Sequence, residues 1–293
     1  MARLIFFGTE DFSAISLQAL IDAEYEIAAV VTKPDSKKGR GQKITQPQIK
    51  KIALANNIPV WQPDKLADIH DSIASLQPVT GVLVSYGKII PQPIIELFSP
   101  GIINLHPSLL PLYRGPSPIE SAIINGDTVT GVSIMQISSK MDAGPVYLRE
   151  KYRLKGNETQ PELYQRLGSL GSKLLVGSLQ DIIDEKLTPT AQDHSAASYC
   201  QLLSKTDSIL RPDLYSAAQL ERKVRAHLNY PRSKVSIGDN DVVVASASVS
   251  STQQTPIDLE CTDGKFLVIN ELIAPSGKKM NAEAFIHGYL TNR

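Results

Sequence analysis

Only two of the 293 residues are cysteines, Cys200 and Cys261, too few for a disulfide framework and without the spacing of a zinc site. Both read as free thiols of a reducing compartment. Charge of neither sign is in excess, with 30 Lys and Arg against 30 Asp and Glu. The whole molecule therefore has no field to gather a polyanion, and any such binding must come from a local patch. No apolar run approaches the roughly 20 residues of a membrane span. Met1–Ala2–Arg3 leads straight into an apolar run too short for a secretory signal, and the expected location is cytoplasmic. Gly8 is the only glycine before Leu17, so the dinucleotide fingerprint is missing. The P-loop pattern is missing as well, which leaves an ATP-driven mechanism without support.

What is present is a composition of ordinary globular type, 42% hydrophobic and 20% charged, over a length comfortable for two domains. Short apolar runs at residues 3–7, 26–32, 59–61, 81–85, 102–104 and 129–137 read as strands. Helical spacing falls between them, at residues 11–21, 46–55 and 119–124. This alternation predicts a Rossmann-like, mostly parallel sheet covered on both faces, an α/β domain. Residues 160–185 read as one long helix, with Leu163, Leu167, Leu170, Leu174 and Leu175 on a single stripe.

The texture changes after Leu187, where Pro, Thr, Ala and Ser follow without a sustained apolar period. Beyond a helix at 217–228, short β-like runs at 234–237, 241–247, 257–261 and 266–273 are separated by tight turns, the pattern of a small barrel. The expected division is a catalytic domain over 1–188, a linker over 189–204 and a β-barrel domain over 205–293.

The chemistry concentrates between Gly101 and Tyr147. Asn104 and His106 end one apolar run and, two residues apart in an extended segment, point to the same side. Asp142 follows another apolar run and precedes Ala143–Gly144–Pro145. In an open α/β sheet, residues just past strand ends line the ligand crevice. A carboxylate at a neighbouring strand end orients an imidazole and favours its charged form. Asn, His and Asp can divide the labour of acyl transfer without a covalent nucleophile. The other histidines, His70, His194, His227 and His287, have no polar partners nearby in sequence and read as surface or packing residues.

A second feature is the densest basic segment, where Lys33, Lys37, Lys38, Arg40 and Lys43 face Asp35 alone. It leaves a strand of the same sheet, and in a neutral protein such a loop can engage phosphates locally.

These residues resemble the folate-dependent formyltransferases. The resemblance rests on Asn104–Leu–His106, Ser108–Leu–Leu–Pro111, Arg114–Gly115, Gly126–Asp127, Thr130–Gly131–Val132 and Met141–Asp142–Ala–Gly144. It implies that Asn104, His106 and Asp142 are catalytic and that Ser108, Leu109, Leu110 and Pro111 border the folate. Tyr86, Gly87 and Ile89 are expected beside the pterin, with Gly87 letting it approach the main chain. The co-substrate implied is 10-formyltetrahydrofolate, leaving as tetrahydrofolate, with no metal.

Further segments are similar to the branch of that family acting on methionyl-tRNA. They are Val31–Thr–Lys–Pro–Asp35, Gly39–Arg–Gly–Gln–Lys43, Ile58–Pro59, Gln62–Pro63, Ala197–Ser–Tyr199 and Gly277–Lys–Lys–Met280. This similarity implies an OB-like C-terminal barrel, a monomer, and contact of Lys37, Lys38, Arg40 and Lys43 with initiator tRNA. The chain departs from the family pattern at Pro145, where an acidic residue is usual, and at Asn229–Tyr–Pro–Arg232. A formyltransferase acting on an amino sugar nucleotide, a formyltetrahydrofolate hydrolase, and an inactive folate- or RNA-binding module are the alternatives.

Overall fold

The computed structural model describes residues 3–38 and 43–291. By compactness the chain forms two units that interleave along the sequence. The first runs through Pro116 and continues with Val129–Arg153 and Tyr164–Cys200. The second takes Ser117–Thr128, Leu154–Leu163 and the chain from Gln201 onward. Residues up to Cys200, within the stretch expected as a linker, thus pack with the first unit.

In chain order the elements begin β1 (Arg3–Gly8), α1 (Asp11–Asp22), β2 (Ile27–Val31), β3 (Ser36–Lys38), β4 (Lys43–Thr45) and α2 (Gln48–Ala55). Next come β5 (Val60–Trp61), α3 (His70–Ala74), β6 (Val79–Val84), α4 (Gln92–Ile95) and β7 (Ile102–His106). Then follow α5 (Pro118–Asn125), β8 (Val129–Gln136), β9 (Val146–Arg153) and α6 (Gln160–Ile183). The seven-stranded sheet has the order β5-β2-β1-β6-β7-β8-β9. It is parallel from β5 through β7 and antiparallel across β7–β8 and β8–β9.

The strands carry apolar residues at successive positions because both faces are covered. In β1, Ile5 and Phe7 join a buried cluster with Val31, Leu66, Ile73, Tyr86, Phe98 and Ile102. Two aromatic edge contacts anchor that cluster, Phe7 to Tyr86 and Phe7 to Phe98, with centroids 5.7 and 5.8 Å apart. Elsewhere α1 meets α6 through Phe12 and Tyr164, whose phenol accepts from the Phe12 amide at 2.9 Å, and through buried Ser16 and Ser172, also 2.9 Å apart. Polar pairing there satisfies groups that packing removes from water.

The alternation read from sequence is largely what forms, with additions that include the short helices α3 and α4. The edge strand β9 alternates buried and exposed residues too weakly to be read as a strand. The basic segment, expected as a loop, carries a two-stranded hairpin in which Ser36 pairs with Thr45, Lys37 with Ile44 and Lys38 with Lys43. Its extended Ser-Lys-Lys and Lys-Ile-Thr arms lack the apolar alternation by which strands are recognised.

The second unit contains α5, α7 (Ala217–Ala226), β10 (Ser233–Ile237), β11 (Asn240–Ser250), β12 (Leu259–Glu260), β13 (Phe266–Ile273), β14 (Lys279–Asn281) and α8 (Ala282–Phe285). Its five strands form an antiparallel sheet in the order β10-β11-β13-β12, with β14 also on β13. Helix α7 begins with a capping box, Ser216 and Gln219 each serving the other's backbone amide, and buries Leu220 and Val224. These pack with Val242, Val244, Leu267, Ile269, Leu272 and Phe285.

Candidate active site

Asn104 and His106 occupy alternate positions of β7 and are buried, at 4% and 5% exposure. Among the described residues the Asn104 amide has no hydrogen-bond partner. His106 Nε2 is 2.9 Å from the Tyr113 carbonyl, so it carries the proton in that bond. Its Nδ1 stands 3.8 Å from Asp142 Oδ2, an ion-pair separation rather than a hydrogen bond. One ring nitrogen is thus bonded to a main-chain carbonyl and the other faces the carboxylate.

Asp142 reaches this position by a route the sequence reading did not anticipate. That reading placed it past a strand end on the same edge as His106. However, β8 is antiparallel to β7, and its last residue, Gln136, lies opposite Ile103, while His106 pairs with Ser133. Three residues of strand, roughly 10 Å, therefore separate the exit of β8 from the level of His106. The connection to β9 covers that distance by turning back along β7. Asp142 itself adopts a left-handed φ of 47°, and the Gly115 amide donates to its Oδ2 at 2.8 Å. Gly115, at φ 117°, has room for no side chain, because a Cβ would meet the Cys200 carbonyl.

The turn after β7 is built by hydroxyls. Ser108 Oγ donates to Leu112 O at 2.6 Å, and buried Ser133 Oγ donates to Ser108 O at 2.7 Å while accepting from the Leu110 amide. Arg149 Nε donates to Leu110 O at 2.7 Å. Ser108 and Leu110 are buried, with Leu109 and Pro111 half-buried. Of the residues expected at the pterin, Tyr86 directs its ring into the core beside Phe7, and burial pushes its phenol up to about 12. That leaves only its main chain for a ligand. Gly87 has φ 71° and lies against the Lys33 side chain, and Ile89 is 86% exposed.

The root of the basic hairpin is fixed by polar contacts. Gln62 Nε2 donates to Lys33 O and to Asp35 Oδ1, both at 2.8 Å, and Lys50 Nζ lies 2.9 Å from Asp35. The hydrogen bonds from Gln62 and then Lys50 hold the Asp35 carboxyl below its ordinary range. Lys37, Lys38 and Lys43 are in the paired arms, and Arg40 lies outside the described residues.

Sequence reasoning passed over a third layer, supplied by residues 192–200. Gln192 Nε2 donates to Asp142 O at 2.9 Å and Gly144 O at 2.7 Å. Its Oε1 accepts from Arg114 Nε and Nη2, at 3.2 and 2.8 Å. Arg114 Nη1 donates to the Tyr199 phenol at 3.1 Å and Nη2 to His194 Nδ1 at 2.9 Å. His194 is exposed, in keeping with the surface reading, and also takes part in the Arg114 contacts. Ser198 Oγ accepts from the Tyr113 amide at 2.9 Å. A polar, Ala- and Ser-containing stretch carries no periodicity to reveal such packing, and beyond the resemblance at Ala197–Ser–Tyr199 the available signal was the Gln-Asp-His cluster within it. A cavity of about 470 Å³ opens beside Asp142, lined by Arg114, Lys140, Met141, Ala143, His194 and Tyr199.

An amide and an imidazole on one strand of a mostly parallel sheet, met by a carboxylate from the loop after β8, form the kind of site found in an α/β group-transfer enzyme. The formyl transferase family signature matches residues 2–179. Methionyl-tRNA formyltransferase of Trichlorobacter lovleyi is 34% identical over 302 residues, spanning 98% of this chain and 94% of its own length. That of Desulforamulus reducens is 36% identical over 302 residues, with the same shares of the two chains. The N-formyltransferase of Helicobacter canadensis, solved with folinic acid and dTDP-3-aminofucose, shares the fold at TM-score 0.69 and 18% identity, over 92% of this chain and 99% of that one. The chain belongs to the formyl transferase family, grouping with its methionyl-tRNA formyltransferase members.

Proposed function

We propose that this protein transfers the formyl group of 10-formyltetrahydrofolate to the α-amine of methionine esterified to initiator tRNA. The observation that carries the chemistry is the convergence of Asp142 on His106, beside the buried amide of Asn104. The choice of acceptor rests on full-length similarity to relatives of that name.

A neutral amine is already a good nucleophile, so nothing has to activate it by covalent capture. Attack on the formyl carbon puts negative charge on oxygen and positive charge on nitrogen. Asn104 donates its amide to the oxygen, a contact worth about 3–4 kcal/mol at such positions. The charged His106 gives a proton to the folate nitrogen as its bond to the formyl carbon breaks. Asp142 holds the ring in place and receives the proton released by the amine, directly or through water, returning it to His106. General acid–base help of this kind contributes about 3–5 kcal/mol. These steps call on protein side chains and need no metal.

In this reading, residues 1–188 carry the chemistry and residues 205–293 serve tRNA docking, joined through 189–204. The curled antiparallel sheet of the second unit is read as an OB-like barrel, and one copy of the chain suffices. No described helix is long and apolar enough to cross a membrane, which fits a cytoplasmic role in translation initiation. The Ser108–Pro111 turn and the main chain of Tyr86 and Gly87 border the folate, with Ile89 at the mouth. Incubation with 10-formyltetrahydrofolate and charged initiator tRNA should yield formylmethionyl-tRNA. Formylation of an amino sugar nucleotide instead, formate release without an acceptor, or no product would overturn the assignment.

A further inference from the structure

Arg114 is the largest fully buried side chain of the described residues, at 2% exposure. A guanidinium remains charged at any working pH, and burying one is costly unless an anion accompanies it. Its nitrogens are all directed at neutral acceptors: the Gln192 amide oxygen, the Tyr199 phenol and His194 Nδ1. No carboxylate forms an ion pair with it among the described residues. The Tyr199 ring, 5.8 Å from the guanidinium carbon, softens the charge without neutralising it.

The charge is placed on the wall of the cavity beside Asp142. Lys140 adds a second cation to the same wall and makes no ion pair among the described residues. His194 accepts from Arg114 through Nδ1, so its neutral ring carries the proton on Nε2 and keeps that nitrogen as a donor. The remaining lining is apolar or aromatic: Met141, Ala143 and the largely exposed Tyr199. A volume of about 470 Å³ suits a ligand of nucleotide size. Arg114 bonds to both His194 and Tyr199, and the exposed Tyr199 ring offers a flat face to a base.

Resting on the acceptor assigned above, we propose that this cavity receives the terminal nucleotide of the acceptor. Lys140, His194 and the field of Arg114 hold its 5′-phosphate, and Tyr199 stacks its base. The amino acid is esterified to the ribose of that nucleotide, whose own phosphate is the anion nearest the reacting amine. Met141 and Ala143 flank Asp142 in sequence, so an anion held here places the ester within reach of the catalytic carboxylate. The counter-charge that Arg114 lacks is supplied by the substrate. A folate tail offers the same chemistry through its carboxylates, and the test separates the two sources.

Adenosine 5′-monophosphate and adenosine are titrated calorimetrically into the full chain and then used as competitors of charged initiator tRNA. The expected result is at least tenfold tighter binding of the monophosphate, with the same ratio of inhibition constants. In Lys140→Ala that ratio falls severalfold. In Arg114→Lys, which keeps the charge but loses the planar fork, it falls as well. Using the ratio within each variant cancels any general loss of folded protein, and Lys140 is a surface side chain whose removal leaves the core intact. Equal affinities in the unaltered protein, or an unchanged ratio in both variants, would overturn the proposal. So would a loss in these variants of discrimination between tetrahydrofolate and tetrahydropteroate, which would give the cavity to the folate tail. Formyl transfer to charged tRNA is scored separately, so failure of the acceptor assignment is seen in that assay and failure of the cavity in the binding ratio.

Discussion

His106 Nδ1 lies 3.8 Å from Asp142 Oδ2 although the strand leading to Asp142 leaves the sheet opposite Ile103. The pair is thus held by a loop that doubles back, not by two strand ends on a common edge. Three contacts keep that loop in place: the Gly115 amide on the carboxylate, and the Gln192 amide on the carbonyls of Asp142 and Gly144. Each comes from a segment distant in sequence, so the geometry of the pair depends on the completed fold.

Asp142→Asn separates charge from position. An Asn oxygen still accepts from the Gly115 amide, so the loop should remain in place and the thermal midpoint should move little. The counter-ion of His106 is lost. The expected outcome is a fall in kcat of about 10²–10⁴-fold, the range of positioned acid–base groups. An unchanged kcat in a folded variant would remove Asp142 from the chemistry.

Gln192→Ala tests the support rather than the carboxylate. It removes two donors from the Asp142 loop and leaves Arg114 without an acceptor shared by two of its nitrogens. The midpoint should fall, by about 2–4 kcal/mol of stability given the buried charge. A stability equal to the parent, measured by denaturant titration, would mean that this layer is dispensable.

Asn104→Ala should leave Km for folate nearly constant and reduce kcat by about 10²–10³-fold, because an oxyanion donor acts in the transition state. Parallel steady-state measurements on both substrates decide it. A rise in Km alone would make Asn104 a binding group.

Much of this is legible in the amino-acid sequence, and the limits are physical. The β1, β2, β6 and β7 runs are apolar on both faces, which marks buried parallel strands, and Asn104 and His106 stand out because they interrupt such a run. The direction of β8 was not readable, since a strand of eight mostly buried residues has the same composition whichever way it runs. Nor was the layer from Gln192 to Tyr199. Its one buried polar side chain, Gln192, is satisfied by Arg114 and the main chain, a cause that leaves no hydrophobic period in the sequence. Nor was the packing of Tyr86, expected beside the pterin, whose ring belongs to the core.

The basic segment makes its own prediction. Arg40→Ala should raise Km for methionyl-tRNA and leave the folate Km unaltered. Lys37→Ala, Lys38→Ala and Lys43→Ala should each flatten the dependence of tRNA affinity on salt, by about one unit of log–log slope for every phosphate no longer neutralised. Equal rises in both Km values would indicate general damage instead.

The last prediction concerns acid stability and the second unit. His227, at the C-terminal end of α7, is 1% exposed, and neither ring nitrogen has a partner among the described residues. Burial, and then the neighbouring Lys223, hold its pKa down to about 4 from 6.5, against a smaller opposing pull from Asp207. The unfolded chain therefore takes up a proton near pH 6.5 that the folded unit accepts only near pH 4. Stability from this group is complete above pH 6.5 and declines as the pH falls toward 4, by at most about 3 kcal/mol. His227→Leu removes the titration and keeps an apolar side chain of similar bulk. Its thermal midpoint should fall less than that of the parent between about pH 7 and pH 4.5, and the two curves should run parallel above about pH 7. Parallel curves throughout would show that the imidazole titrates alike in the folded and unfolded chains.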